Sequence, residues 1–383
     1  MHNILFVSHT SRIAGAEHSL LVLLERLDRT RFNPTVVVPH PGALTRRLDE
    51  LGVPHRAAAM GRLRRTLNPI RLLRYFVMWH RAVRQIAALI DELDIDLVHC
   101  NATIPHLFAS PAARRKGVPC IWHVRDLSSP GGWLDAMMTR DAAAIIAISG
   151  AVRDSLHHPA LAEAKTTVIH NGVDVDEFAP GDGTPVRAEL GLDGSTPLAG
   201  IVGQIVPWKG HERFLDVAAA VAGSVSDARF LVVGDDRFGD HPGLVDRLKA
   251  RAAELGLGDK VSFVGWRDDV VNVMNALDVL VVTSDSEPFG RVVVEAMACG
   301  KPVVSFRCGG PVEIIEDGET GLLTEPYDTG RMADAVGGLL AERDRAAAMG
   351  EAGRRAVGER FSAEACAGKV QAVYERLVGK GGV

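Results

Sequence analysis

Short β-branched runs alternate with stretches of helical periodicity along almost the whole chain, which confines the fold to parallel sheets built from βαβ units. In the first half the runs are Ile4–Val7, Thr35–Val38, Leu97–Cys100, Cys120–Val124, Ala144–Ile148 and Thr167–His170. Helical patterns fill the gaps at Ala16–Leu27, Leu44–Glu50, Pro69–Leu93 and His106–Ala113, and a further helix is capped by Ser149. The second half repeats the scheme, with strands at Leu198–Val202, Phe230–Val233, Val261–Val264, Val279–Thr283, Val303–Phe306 and Gly321–Leu323. Helices at His211–Val221, Leu244–Glu254, Arg291–Cys299 and Pro311–Glu316 separate them, and the tail from Asp328 reads as helical.

Between the halves lies Ala179-Pro180-Gly181-Asp182-Gly183-Thr184-Pro185, a cluster of breakers without periodicity and the best linker candidate. The sequence predicts an α/β chain of two doubly wound domains, residues 1–178 and 186–358. The length of 383 residues accommodates both. The halves differ in charge. Residues 1–170 carry 21 Lys/Arg against 14 Asp/Glu, whereas residues 171–383 carry 22 against 34. Two domains with different partners are expected from that asymmetry.

Apolar residues at 47% and charged residues at 24% exclude a disordered or coiled-coil chain, and no apolar run approaches the ~18 residues of a membrane span. The N-terminus, Met1-His2-Asn3, has no basic region ahead of its short apolar run, so no signal peptide is expected. Five cysteines without a C-x-x-C spacing read as free thiols in a reducing cytoplasm, and no metal site is expected. Asp94–Asp96 precedes a strand rather than following one, which makes it a poor metal clasp.

In doubly wound folds ligands bind outside the carboxyl ends of the strands, so the loops after strands are where chemistry is sought. After the first strand, Ser8–Glu17 is either an anion-binding helix start or an ordinary βα turn. Val202-Gly203-Gln204-Ile205-Val206-Pro207-Trp208-Lys209-Gly210 brings a glycine for close approach and, just before a helix, a lysine that either meets a phosphate or is solvated on a surface loop. No Walker-type loop occurs.

The most informative stretch is Ser284–Arg291 and the helix beyond it. Glu287 in the loop and Glu295 on the helix lie eight residues apart, with backbone amides near Gly290 between them. Carboxylates accept hydrogen bonds from sugar hydroxyls, and the amides suit a diphosphate. Glu295 sits among Val292, Val293, Val294, Ala296 and Met297, a costly place for a charge without partners. By contrast, the helix-start reading suffices for Glu313. His123, at the end of its strand, is either a core-edge residue or a polar group facing a ligand.

The stretch Glu287-Pro288-Phe289-Gly290 through Glu295-Ala296-Met297-Ala298-Cys299-Gly300-Lys301-Pro302 closely resembles the E-x7-E signature of glycosyltransferase family 4. Asn171-Gly172-Val173-Asp174, Lys209-Gly210, Gly309-Gly310 and Gly321-Leu322-Leu323 fall in that family's order. The resemblance implies the GT-B fold, two Rossmann-like domains facing across a cleft, with the helix at 362–378 packing back on the first. It implies retaining transfer of a sugar from a nucleotide sugar to an acceptor hydroxyl, with no metal and no cofactor. Such reactions serve polysaccharide, glycolipid or glycosylated-metabolite biosynthesis.

Carried onto this chain, the resemblance makes Lys209, Glu287 and His123 the catalytic candidates. Gly15, Gln204, Lys209, Glu287, Phe289, Gly290 and Glu295 would hold the donor. Gln204 departs from the family, which has an arginine there, and Arg12 or Arg125 would have to supply the missing charge. A sugar-nucleotide epimerase and a silent sugar-nucleotide-binding partner are the rival functions.

Expected partners are a nucleotide sugar and a small-molecule or lipid-linked acceptor, with no nucleic acid. The arginine-rich, acid-free stretch 62–84 reads either as a packed helix with solvated arginines or as a peripheral membrane contact. The expected location is accordingly cytoplasmic, at the inner face of the membrane in the second case.

Overall fold

The computed structural model describes residues 1–61, 68–127, 131–156, 162–237 and 239–379. The chain divides into two compact units, one of residues 1–172 and 363–383 and the other of residues 173–362.

The first unit holds strands β1 (His2–Val7), β2 (Phe32–Val38), β3 (His55–Ala57), β4 (Leu97–Cys100), β5 (Cys120–Val124), β6 (Ala144–Ala147) and β7 (Thr166–Val168). They form one parallel sheet in the order β3-β2-β1-β4-β5-β6-β7. Helices α1 (Gly15–Glu25), α2 (Ala43–Glu50), α3 (Pro69–Glu92), α4 (Thr103–Lys116), α5 (Gly132–Asp141) and α6 (Gly150–Asp154) connect them. Side chains alternate along each strand. Leu97 and Ile121 therefore pack with α1, α2 and the C-terminal helix Ala363–Val378, while Val98, Cys100 and Cys120 pack with α3 and α4.

The second unit repeats the plan with β8 (Leu198–Val202), β9 (Arg229–Val233), β10 (Val261–Gly265), β11 (Val279–Val282), β12 (Val303–Phe306) and β13 (Leu322–Thr324). Its parallel order is β10-β9-β8-β11-β12-β13. Helices His211–Ser224, Leu244–Glu254 and Thr329–Ala341 bury one face around Phe214, Phe230, Leu248 and Val336. Helix Arg291–Ala298 packs on β11 and β12.

Both sheets carry the doubly wound order 3-2-1-4-5-6, so the direction of winding reverses between β1 and β4 and between β8 and β11. Crevices outside the carboxyl ends of those strand pairs are where such folds bind ligands.

Three expectations need correction. The boundary does not lie in 179–185. Gly181 N donates to Asn275 Oδ1 at 2.8 Å, and a Cβ on Gly183 would lie 2.4 Å from Asn275 O. That segment is packed onto the second unit, and its last two residues begin the helix Thr184–Glu189. The chain instead passes between units at Gly172–Val173 and returns at Ser362–Ala363. Second, α5 and helix Val270–Ala276 were not expected, because Gly131-Gly132 and an apolar run respectively conceal them. Third, β3 carries too few apolar residues to be read from sequence. Arg62, Arg64 and Arg65 of the basic stretch lie outside the described residues.

Candidate active site

The second unit brings its predicted residues together at the carboxyl ends of β8 and β11. After β8, a single 3₁₀ turn, Pro207–Lys209, ends at Gly210, whose φ of 73° is left-handed. A Cβ there would meet Thr283 O at 2.1 Å, so only glycine lets this loop lie against the end of β11. The contact is stitched by Thr283 Oγ1, which donates to Gly210 O at 2.8 Å, and by Asp285 N, which donates to Trp208 O at 2.8 Å.

Lys209 and Glu287 meet within this seam. The ammonium donates to Glu287 Oε2 at 2.5 Å and stands 4.6 Å from the centre of the Trp208 ring. Ser284 Oγ donates to the same carboxylate oxygen at 3.2 Å. Glu287 is buried, so its charge depends on these partners. Its backbone is fixed from the next loop, because Gly310 N donates to Glu287 O at 2.8 Å. Gly309 again requires the left-handed region, at φ 53°, and a Cβ on it would strike Glu287 O at 2.1 Å.

Phe289 is buried beside Phe361, and Gly290, at φ 98°, opens helix Arg291–Ala298. Glu295 is buried one turn into that helix. Arg291, four residues earlier, donates to its Oε1 from Nη2 at 2.8 Å and from Nε at 3.2 Å. Arg291 is the partner that the sequence reading did not supply, although the i,i+4 spacing signals it. Gln204 is half-buried directly after β8. His211, the first residue of the following helix, is buried with neither ring nitrogen hydrogen-bonded. Burial, and then the Lys209 charge, holds its pKa down to about 4.

In the first unit the outcome differs. Gly15 is exposed and begins α1. Glu17, unremarked in the sequence, is buried there. It accepts from Ser8 Oγ at 3.1 Å and from Ala14 N at 3.3 Å, and burial raises its pKa.

His123, which the sequence left open between a core-edge residue and a ligand-facing group, is buried near the carboxyl end of β5. On β5 it shares with Ile121, two residues earlier, the face towards α1 and the C-terminal helix, and it is 3% exposed. Burial first, then Arg125 and His99, depress its pKa well below the ordinary value.

Its hydrogen bonds settle its tautomer. Arg125 Nη2, which can only donate, lies 3.3 Å from His123 Nδ1, so Nδ1 accepts. His99 Nε2, 3.0 Å from the same atom, therefore carries a proton and donates. His99 Nδ1 is left to accept from the Tyr374 hydroxyl at 2.6 Å. The His123 proton consequently sits on Nε2, which has no hydrogen-bond partner. His123 and Arg125 also line a cavity of about 20 Å³ beneath α1 and the C-terminal helix, room for roughly one water.

Arg125 is committed to the same network. Its Nε donates to Asn101 O at 2.9 Å and its Nη1 to Asn171 Oδ1 at 2.5 Å. It thus ties the end of β5 to the residue just before the chain leaves the unit.

All five cysteines are free thiols. Cys100, Cys120 and His106 cluster between the sheet and α4. Cys100 and Cys120 sulfurs are 3.6 Å apart, Cys120 Sγ is 3.7 Å from His106 Nδ1, and His106 Nε2 donates to Met138 O at 3.0 Å. This chain of contacts closes on protein groups within the core.

The Glycosyltransferase Family 4 profile matches residues 13–177, and the profile for glycosyl transferases group 1 matches residues 184–356. The chain belongs to glycosyltransferase family 4. HepE of Anabaena, solved in complex with UDP-glucose, superposes with a TM-score of 0.83 at 26% identity, over 98% of this chain and 100% of that one. Sucrose-phosphate synthase of Thermosynechococcus elongatus superposes with a TM-score of 0.78 at 23% identity, over 99% and 100%. This glycosyltransferase therefore has the GT-B fold.

Among curated proteins, a D-inositol 3-phosphate glycosyltransferase of Mycobacterium sp. (strain KMS) is 41% identical over 46% of this chain and 40% of its own length. One from Mycobacterium marinum is 36% identical over 56% and 46%. The chain matches less than half the length of these relatives.

Proposed function

We propose that this glycosyltransferase moves a sugar from a uridine-diphosphate donor to an acceptor hydroxyl with retention at the anomeric carbon. The observation that carries the reading is the Lys209–Glu287 pair at the carboxyl ends of β8 and β11, where the winding of the sheet reverses. The HepE complex with UDP-glucose supports the choice of donor.

In this reading Lys209 faces the departing diphosphate, whose negative charge grows as its bond to the anomeric carbon breaks. Stabilising such developing charge is usually the largest single contribution to catalysis. Glu287 holds Lys209 in place with one oxygen and accepts a donor-sugar hydroxyl with the other. Glu295, oriented by Arg291, accepts from the ribose hydroxyls. The acceptor oxygen forms its bond to the anomeric carbon on the face the diphosphate leaves, and its proton passes to a departing phosphate oxygen. Glu287 and Glu295 are each held in an ion pair, which suits them to binding roles in this reading.

The test incubates the protein with UDP-sugars and a panel of polyol, phosphorylated polyol and lipid-linked acceptors, with the product linkage read by NMR. An α-linked product from an α-configured donor is expected. A β-linked product would overturn retention. Conversion of donor to an epimer without acceptor, or no consumption of any nucleotide sugar, would overturn transfer.

A further inference from the structure

Helix α3 (Pro69–Glu92) has two apolar faces, and the fold uses only one of them. Ala82, Val83, Ile86, Leu89 and Ile90 are buried against the sheet and α4. Trp79 Nε1 donates to Leu107 O at 2.8 Å and anchors the middle of the helix. The N-terminal half departs from this pattern. Ile70, Leu73, Phe76 and Val77 are 69%, 62%, 59% and 58% exposed, and Leu72 is 49% exposed. At 3.6 residues per turn, Ile70, Leu73 and Val77 form a stripe roughly opposite the buried one.

This concentration is not general in the protein. Five of the eleven large exposed hydrophobic residues among the described residues fall between Ile70 and Val77. Scattered exposed apolar residues need no explanation, but a contiguous patch marks an interaction surface.

The charge around the patch says what it fits. Arg71, Arg74, Arg81 and Arg84 are all exposed on the same helix, and Arg74, Arg81 and Arg84 flank the apolar stripe. Between Glu50 and Asp91 the sequence has no Asp or Glu at all. A shallow groove of about 460 Å³ is lined by Phe76, Val77, His80, Arg81, Arg84 and Gln85, combining apolar walls with guanidinium groups. Guanidinium pairs with phosphate in a planar, two-pronged geometry. No helix among the described residues is long and apolar enough to cross a membrane.

We propose that the outward face of α3 docks on the surface of an anionic phospholipid bilayer. Ile70, Leu73, Phe76 and Val77 enter the boundary between headgroups and acyl chains, while the arginines pair with lipid phosphates. Basic amphipathic helices bind in this way through buried apolar area plus attraction to anionic lipid. The helix lies on the surface and does not insert across it. This surface is separate from the Lys209–Glu287 site and stands whether or not the proposed transfer is correct.

The test is co-sedimentation with vesicles of phosphatidylcholine alone and of phosphatidylcholine with about one-third phosphatidylglycerol, at low and high salt. Binding is expected to the anionic vesicles at low salt, reduced about tenfold or more by Arg74→Glu with Arg81→Glu, and similarly by Phe76→Ser with Val77→Ser. These side chains are exposed, so circular dichroism should show both variants folded. Absence of binding to anionic vesicles at low salt overturns the proposal, as does binding that both double variants leave unchanged. A dimer in solution that Phe76→Ser with Val77→Ser dissolves, without vesicle binding, overturns it in favour of a second copy on this face.

Discussion

Lys209 Nζ donates to Glu287 Oε2 across 2.5 Å, closing a cation from the loop after β8 onto a carboxylate from the loop after β11. Their side chains are only 15% and 8% exposed, so each charge depends on the other. Breaking a buried pair from one side leaves an uncompensated charge, which costs about 3 kcal/mol or more. Glu287→Ala should therefore destabilise the second unit by about that amount, and Lys209→Met similarly. The double variant Lys209→Met with Glu287→Gln should recover much of the stability and none of the activity. Urea unfolding of the three variants beside kcat measurements checks this. Additive stability losses would show that the pair is not coupled.

Glu295 is held by Arg291 on its own helix and is expected to contact a part of the donor remote from the reacting bond. Such contacts are equally strong in ground and transition states, so their loss raises KM more than it lowers kcat. Glu295→Ala should raise the donor KM about tenfold with kcat little changed, for ~1.4 kcal/mol of lost binding. Arg291→Ala should raise KM less, because the carboxylate remains. Steady-state kinetics with varied donor decide it, and a loss confined to kcat contradicts the assignment.

These two glutamates were legible because a single motif holds them at fixed spacing on one loop and helix. Their partners were not, for different reasons. Arg291 lies on the same helix and its spacing was available. The Lys209–Glu287 contact joins residues 78 positions apart and exists only because β8 and β11 are neighbours in the sheet. The Arg125 network joins residues 24 and 46 positions apart in the same way. The surroundings of His123 were not legible either, because its partner His99 lies on another strand, 24 positions away, and Tyr374, which His99 meets, lies on the C-terminal helix. The sheet order itself follows from the βαβ alternation, since most runs carried their own turn signals, whereas the short edge strand β3 did not.

Gln204 supplies no charge where the family resemblance implies an arginine, and Arg125 is occupied within the first unit by Asn101, Asn171 and His123. Gln204→Arg should therefore raise kcat about tenfold, equivalent to ~1.4 kcal/mol of added leaving-group stabilisation. Arg125→Ala should instead lower the stability of the first unit. A Gln204→Arg enzyme no faster than wild type, together with a loss of kcat in Arg12→Ala, would assign the missing charge to Arg12.

The buried histidines make the first unit acid-sensitive. His99 is held down to about 3 by burial and then by Arg125, and His123 lies well below its usual value. The unfolded chain takes up these protons near pH 6.5 while the folded one does not. Their contribution to stability is therefore complete above that pH and lost as pH falls toward 3. Between pH 6.5 and 5 the loss should be about 2 kcal/mol for His99, and His123 should add to it in the same direction. His99→Gln should be less stable at pH 7.5 yet lose clearly less between pH 7 and 5.5, as read by urea unfolding. An unchanged slope would show that His99 does not carry the effect.

That the strand-end loops of the second unit hold a nucleoside diphosphate is tested most directly by calorimetric titration of UDP into wild type, Lys209→Ala and Glu295→Ala. Binding to the wild type, weakened about tenfold or more in both variants, is the expected result. No binding to the wild type, or equal affinity in all three folded proteins, would contradict it.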